Sequence, residues 1–361
     1  MASLKPKQVE GRNIENMIGV TEVPLGLAGP LKIKTRNYSL PLATTEGALV
    51  ASINRGCKAT RLAGTVTVKV EEVGATRGPV FKVKDLAQAE KLVAWLDQHF
   101  NHLKRLASAK EKHLKLVAFQ PQVVGRSVYV RFVFDTQEAM GMNMVTMATD
   151  AISREIKKKL GIDCVALSGN FCVDKKGSWL NFVGGRGKKV WAEVVLPRKV
   201  VRLVLKTTPE KIVEVVYRKQ LLGSVVSGSM GANGHYANIV AALFLATGQD
   251  MAHVVEGSLG ITTAEITPRK VARSDPSEVE SALYFSVYLP DVMVGTVGGG
   301  THLPSQQKAL KMLGLGNKKG DAVRLAEVVG GAVLAGELSL TAALASGDLA
   351  RAHQRLGRGK K

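Results

Sequence analysis

The chain has 361 residues, 45% hydrophobic and 22% charged, which supplies a sizeable core for two or three folding units and excludes disorder over most of its length. Its net charge of +20 favours anionic partners, yet with 5% aromatic residues and no zinc-finger spacing or isolated basic arm, specific nucleic-acid binding is not expected. Cys57, Cys164 and Cys172 are too few and irregular for a disulfide framework or metal site, the N-terminus lacks a signal-peptide core, and the best apolar run, Ile239 to Thr247, is too short to span a bilayer, so a soluble cytoplasmic protein is expected.

Pro24, Gly26, Gly29 and Pro30 predict loop and short strands over the first forty residues. A helix follows, capped by Thr44 or Thr45, with Glu46 in its first turn and Leu49, Val50, Ile53 and Cys57 as its apolar stripe. Residues 79–173 form a self-contained pattern. Strand 80–83 leads to helix 85–106, strands 114–124 and 127–134 turning at Gly125, helix 140–160 and strand 164–173. That β-α-β-β-α-β order is ferredoxin-like. The rest reads as mostly helical, with helices at 198–206, 233–247, 306–313 and 321–346 and one strand at 283–289. Gly330, Gly331 and Gly336 inside the last helix predict close contact with a neighbour. The elements therefore read as a self-contained ferredoxin-like unit at 79–173, a mostly helical remainder and a flexible basic tail at 354–361.

No strand-GxGxxG-helix fingerprint, Walker A, HExxH or GxSxG motif is present. Six less generic segments carry polar chemistry, each with a plainer alternative. Glu46 in Thr44-Thr45-Glu46-Gly47 is a candidate proton donor, or a helix-stabilising surface acid. Ser168 to Lys176 sets two lysines after a strand, either as oxyanion donors or as a solvated turn. Asp250, after Gly248-Gln249, follows an apolar helix whose C-terminus disfavours a carboxylate, so it calls for a cation partner, an orienting role or a simple turn. Glu138 to Met144 opens a helix whose free N–H groups suit a phosphate, although methionines equally pack a core. Gly295 to Thr301 allows close approach of a ligand or of another backbone. His353 sits in a short polar helix near the C-terminus, as a proton donor or as a structural histidine.

Taken in order, these segments resemble 3-hydroxy-3-methylglutaryl-CoA reductases (HMG-CoA reductases), from Glu15-Asn16-Met17-Ile18-Gly19 to His353. Particularly specific are Thr44 to Ser52, Met140-Gly141-Met142-Asn143-Met144, Ser168 to Lys176, Gly295 to Thr301 and Ala335 to Leu340. The Glu-Asn-Met-Ile-Gly and Thr-Thr-Glu-Gly forms are similar to the class I branch, in a soluble archaeal-like form without the animal membrane anchor. The resemblance implies NADPH-dependent reduction of HMG-CoA to mevalonate and free CoA, with NADH as the alternative cofactor. It also implies a homodimer or dimer of dimers with interfacial active sites. The fold it implies is α+β: a large helical domain (1–78 and 174–361) that binds CoA, with the ferredoxin-like unit 79–173 inserted to bind the cofactor.

Carried onto matching positions, the resemblance makes Glu46 a proton donor to the thioester oxygen and Lys175 the oxyanion donor. Asp250 links the two, and His353 protonates the departing thiolate. Ser168, Asp174, Lys176 and Asn238 hold the acyl end, with Asn170 and His235 in the same substrate-binding set. Arg55, Arg77 and Lys219 meet the CoA phosphates or nearby polar groups. Glu138, Met140, Gly141, Met142 and Asn143 hold the dinucleotide, with Lys110 and Lys112 near the adenosine phosphate. Glu138 stands where the family usually has Asp. Two hydride transfers need a polarised carbonyl, and a thiolate leaving between them needs its own acid. Competing readings are another acyl-CoA thioester reductase on the same scaffold and a basic nucleic-acid-binding protein.

Overall fold

The computed structural model describes residues 4, 6, 9–11, 13–109, 111–270, 279–316 and 318–347. His353, Lys110 and the tail 354–361 lie outside the described residues.

The first forty residues hold more strand than predicted. β1 (Leu25–Ile33) and β2 (Arg36–Ala43) form an antiparallel hairpin that buries Leu31, Ile33, Leu40 and Leu42. α1 (Leu49–Ala63) starts later than expected. The Glu46 N–H is held by Thr44 Oγ1 at 3.0 Å and Ala48 caps the helix at φ 75°, so Glu46 sits in the turn ahead of the helix. β3 (Thr67–Arg77) leads into β4 (Val80–Lys82).

The predicted helix 85–106 is two helices, α2 (Leu86–Gln98) and α3 (Phe100–Ser108), broken at His99, whose ring stacks on Trp95. Asp85 caps α2 by accepting from the Gln88 N–H. β5 (Lys115–Val124), β6 (Ser127–Asp135), α4 (Met142–Leu160) and β7 (Asp163–Ala166) follow. β7 ends seven residues earlier than predicted, and the rest of that stretch is loop.

α5 (Trp179–Gly184) precedes β8 (Arg186–Pro197). The predicted helix 198–206 is a short α6 (Arg198–Val200) running into a π-helical turn. Next come α7 (Pro209–Val215), α8 (Ser224–Ser227), α9 (Tyr236–Thr247) and α10 (Val254–Gly257). β9 (Ile261–Lys270), β10 (Val279–Val292), α11 (Pro304–Met312) and α12 (Asp321–Ser346) complete the described chain.

The large unit is therefore less helical than expected, since β3, β8 and β9 are long strands. An antiparallel sheet runs β7-β4-β6-β3-β8-β10-β9, with β5 on the far edge of β6. Within residues 79–173 the strand order is β7-β4-β6-β5, and α2, α3 and α4 bury Leu92, Leu96, Leu103, Ile152 and Ile156 in a cluster with Phe81, Phe132 and Phe134. A larger cluster joins the hairpin, α1, α9 and α12 to β8 and β10.

α12 is long and apolar enough to cross a membrane by length and composition, but 83% of that stretch is buried inside the protein. It is the central core helix, and its glycines mark close approach as predicted. A methyl group on Gly336 would meet Ile239 at 2.4 Å, and one on Gly56 of α1 would stand 1.9 Å from the Ala335 carbonyl oxygen.

Candidate active site

After β7 the chain enters a loop held in rare conformations. Asn170, Val173 and Lys175 have φ of 64°, 50° and 58°, positions that non-glycine residues keep only when their surroundings enforce them. The enforcing bonds come from behind. The Cys172 carbonyl accepts from Thr76 Oγ1 at 2.8 Å, the Val173 carbonyl from Asn181 Nδ2 at 3.1 Å, and the Lys175 N–H donates to Glu256 Oε1 at 3.2 Å. So fixed, Lys175 sends Nζ to Asp250 Oδ2 at 2.7 Å, in a pair whose side chains are 39% and 33% exposed.

Asp250 follows α9, which Gly248 ends at φ 75°. The carboxylate escapes the unfavourable helix end by capping the next turn, accepting from the Ala252 N–H at 3.0 Å. Of the readings its position allowed, the cation partner is present, and the carboxylate also caps the turn that follows. Burial pushes its carboxyl upward, but bonds from Lys175 and Ala252 and the charges of His253 and Lys175 outweigh that and hold it below the ordinary range.

Behind this pair lies an ion network in which Arg186, His253 and Glu256 are fully buried and Asp174 reaches the cleft. Arg186, at the start of β8, donates from Nη2 to Asp174 Oδ1 at 2.8 Å, from Nη1 to Glu256 Oε1 at 2.9 Å and from Nε to Thr76 Oγ1 at 2.9 Å. Glu256 Oε1 also meets His253 Nδ1 at 2.6 Å. Asp174, His253 and Glu256 bring ligand-type atoms within 4.8 Å of one another. The Arg186 guanidinium is bonded to both carboxylates of this cluster. Asp174 also faces Arg77 Nη1 at 3.7 Å, and Arg77 is braced by Thr146 on α4. Burial drives the neighbouring Asp291 carboxyl well above the usual range, against the pull of Arg186.

Lys175, Asp250, Asp174 and Arg77 open onto a cleft of about 620 Å³ whose other walls are Met140 to Met144 and the loop Gly295 to Thr301. α4 begins at Met142 behind Gly141 at φ 83°, with no side-chain cap, which leaves its first N–H groups for a ligand. The glycine loop is tied in by backbone. Thr296 N donates to the Glu138 carbonyl at 2.8 Å, and Gln249 exchanges bonds with the Gly295 N–H and carbonyl at 2.9 and 3.0 Å.

A family model described as Hydroxymethylglutaryl-coenzyme A reductase matches residues 1–358. The chain belongs to the hydroxymethylglutaryl-coenzyme A reductase family. The 3-hydroxy-3-methylglutaryl-coenzyme A reductase of Methanocaldococcus jannaschii is 50% identical, over 99% of this chain and 87% of that protein. That of Pyrococcus horikoshii is 49% identical over 99% and 86%, and that of Xenopus laevis 42% identical over 98% and 40%. Among solved structures, a class II 3-hydroxy-3-methylglutaryl-CoA reductase from Streptococcus pneumoniae, bound to NADPH in open conformations, shares the fold. Its TM-score is 0.72 at 19% identity, covering 92% of this chain and 87% of that one. The protein is thus an oxidoreductase of the HMG-CoA reductase family.

Of the residues that the family resemblance singled out, Lys175, Asp250, Asp174, Arg77, Met140, Gly141, Met142 and Asn143 line the same cleft. Ser168 bonds Cys172 Sγ at 3.4 Å and Lys176 Nζ the Asp174 carbonyl at 3.2 Å, both in the loop that carries Lys175, where Asn170 is exposed. Glu138 does not line the cleft. Its two oxygens accept from Gly320 N and Ala322 N, capping α12. Lys112 is exposed in the turn before β5.

The others gather elsewhere in the chain. Glu46 is exposed, and its carboxylate bonds no described residue. Arg55 bonds Ser339 of α12 through Nε and Nη2, and His235 donates its backbone N–H to Glu337 of the same helix at 2.6 Å. Asn238 is half-buried one turn further along α9, and Lys219 is exposed beside Gln220, which bonds Thr341.

Arg186, His253 and Glu256 were missed in the sequence. A signal existed for Arg186: residues 186, 188, 190, 192, 194 and 196 alternate inward along β8, so the strand carries Arg186 and Lys188 on its buried face. His253 and Glu256 follow Asp250 at steps of three, the spacing of one helical face.

Proposed function

We propose that this enzyme reduces HMG-CoA to mevalonate and free CoA, taking two hydrides from NADPH. The observation that carries this reading is the 2.7 Å Lys175–Asp250 pair, aimed into a cleft that also contains the uncapped start of α4. The NADPH bound by the pneumococcal enzyme of the same fold supports NADPH over NADH. The open N–H groups of α4, with Met140 to Asn143, suit a dinucleotide, and the bound nicotinamide supplies hydride. The strand order β7-β4-β6-β5 supports reading residues 79–173 as an inserted ferredoxin-like cofactor-binding domain, with 1–78 and 174–361 as the CoA-binding and dimerisation domain.

Lys175 donates a hydrogen bond to the thioester oxygen and stabilises the charge that develops there as hydride arrives. Asp250 holds the ammonium in position. The resulting hemithioacetal loses CoA thiolate, which the family resemblance assigns to His353 for protonation. Lys175 then polarises the aldehyde for the second transfer, and Glu46 returns a proton to the product oxygen. Glu46, Arg55, Lys219, His235 and Asn238 lie outside the cleft of their own chain, which supports a homodimer whose partner subunit completes each site. The unpaired Cys57, Cys164 and Cys172 suit a reducing cytoplasm.

The test is oxidation of NADPH in the presence of HMG-CoA, with product CoA counted. Lys175→Ala is expected to lower turnover by at least about a hundredfold, the loss typical of a missing oxyanion donor, while circular dichroism stays unchanged. Wild-type turnover in that variant removes Lys175 from the chemistry.

A further inference from the structure

His253 ends the turn that begins at Asp250 and is fully buried. Its Nδ1 lies 2.6 Å from Glu256 Oε1. Among the described residues its Nε2 has no hydrogen-bond partner, yet it stands 3.8 Å from Asp250 Oδ2 and 3.9 Å from Asp174 Oδ1. A buried nitrogen left without a partner is disfavoured, so its persistence calls for a reason.

The charged groups around the ring come from four places. Glu256 belongs to α10 and Asp250 to the ring's own turn. Asp174 and Lys175 come from the loop after β7, and Arg186 from β8 bonds both Asp174 and Glu256. Each ring nitrogen therefore faces carboxylate oxygen. An unprotonated Nε2 would set its lone pair against those of Asp174 and Asp250, whereas an N–H there is attracted to both.

We propose that His253 is a positioning residue whose doubly protonated ring takes over Asp250 when Lys175 turns to the substrate oxygen. This rests on the reading of Lys175 as the oxyanion donor. In the resting enzyme, Lys175 Nζ and the Ala252 N–H hold Asp250. As negative charge grows on the thioester oxygen, the ammonium is drawn toward it and its bond to Asp250 lengthens. Nε2–H needs to close by about one ångström to reach hydrogen-bond distance of Asp250. Asp250 then stays ionised and fixed while Lys175 is released for the oxyanion, and no proton changes hands. Glu256 fixes the ring from the far side, and Arg186 fixes Glu256.

Two substitutions separate this role from simple support. His253→Asn keeps an amide where Nδ1 meets Glu256 and removes the Nε2 end. It is expected to lower kcat about ten- to a hundredfold, the scale of a mispositioned catalytic group, with KM for HMG-CoA and NADPH and the thermal midpoint unchanged. His253→Gln restores a neutral N–H near the Nε2 position. It is expected to recover most of kcat and to change the pH profile of kcat.

The ring itself is read by ¹⁵N spectra of histidine-labelled wild-type enzyme, with His253→Asn assigning the signal. Both nitrogens are expected to be protonated at neutral pH. A neutral ring, wild-type kcat in His253→Asn, or an unchanged pH profile in His253→Gln overturns the proposal. A wild-type enzyme inactive on HMG-CoA fails the functional reading instead, and the labelled spectrum still decides the state of His253.

Discussion

One oxygen of Glu256 collects three donors: Arg186 Nη1, His253 Nδ1 and the Lys175 N–H. Both Glu256 and Arg186 are fully buried, so removing the carboxylate leaves Arg186 Nη1 buried without its partner. Glu256→Ala should destabilise the fold by about 3–5 kcal/mol, the usual cost of breaking a buried pair, measured by denaturant unfolding. The Lys175–Asp250 pair behaves differently because it is partly exposed. Its Asp250 carboxyl is held below the ordinary 3.8, so the pair's contribution to stability is complete above that value. It is lost only as pH falls through the lower folded-state value. An unfolding series in pH should therefore show Asp250→Asn less stable than wild type at neutral pH, with the gap closing in strong acid. Burial lifts the Cys57 thiol to about 12, and native enzyme should leave it unalkylated at mildly alkaline pH. At this scale the sequence revealed Asp250, because a carboxylate after an apolar helix asks for a partner. It hid His253 and Glu256, whose importance depends on Arg186 arriving from a strand far along the chain.

Elements were legible where their period was clean. The bounds of α12 agree with the predicted 321–346, and its internal glycines do seat neighbours. β3 and β8 escaped because charges interrupt their alternation: Lys69, Glu71 and Glu72 in one, Arg186, Lys188 and Lys189 in the other. The helix 85–106 read as continuous because its apolar spacing survives the break at His99. The α1–α12 contact gives the sharpest test here. A methyl group on Gly56 would stand 1.9 Å from a backbone oxygen of α12, which no side-chain rotation relieves. Gly56→Ala should cost at least the upper end of the about 1–3 kcal/mol range for overpacking, read as a lowered denaturant midpoint. Because Arg55 and Ser52 bond Ser339 across the same contact, the variant should also weaken binding of CoA thioesters before it unfolds.

Across the whole molecule, most of the described residues implied by family resemblance fall into two groups, with Glu138 and Lys112 in neither. One surrounds Lys175 and Asp250 in the cleft, and the other gathers on α1, α9 and the helical stretch packed along α12, with Glu46 exposed ahead of α1. Sequence order suggested the set but not how it divides, since that depends on contacts between elements far apart in the chain rather than on local pattern. In the proposed homodimer, Glu46 of one subunit meets Lys175 and Asp250 of the other around a single carbonyl carbon. Co-expression of Glu46→Ala and Lys175→Ala chains carrying different tags isolates the mixed dimer. In it one site holds both substitutions and the other holds neither, so turnover of HMG-CoA should return to about half of wild type although each parent is inactive. A mixed dimer as inactive as its parents would contradict the account.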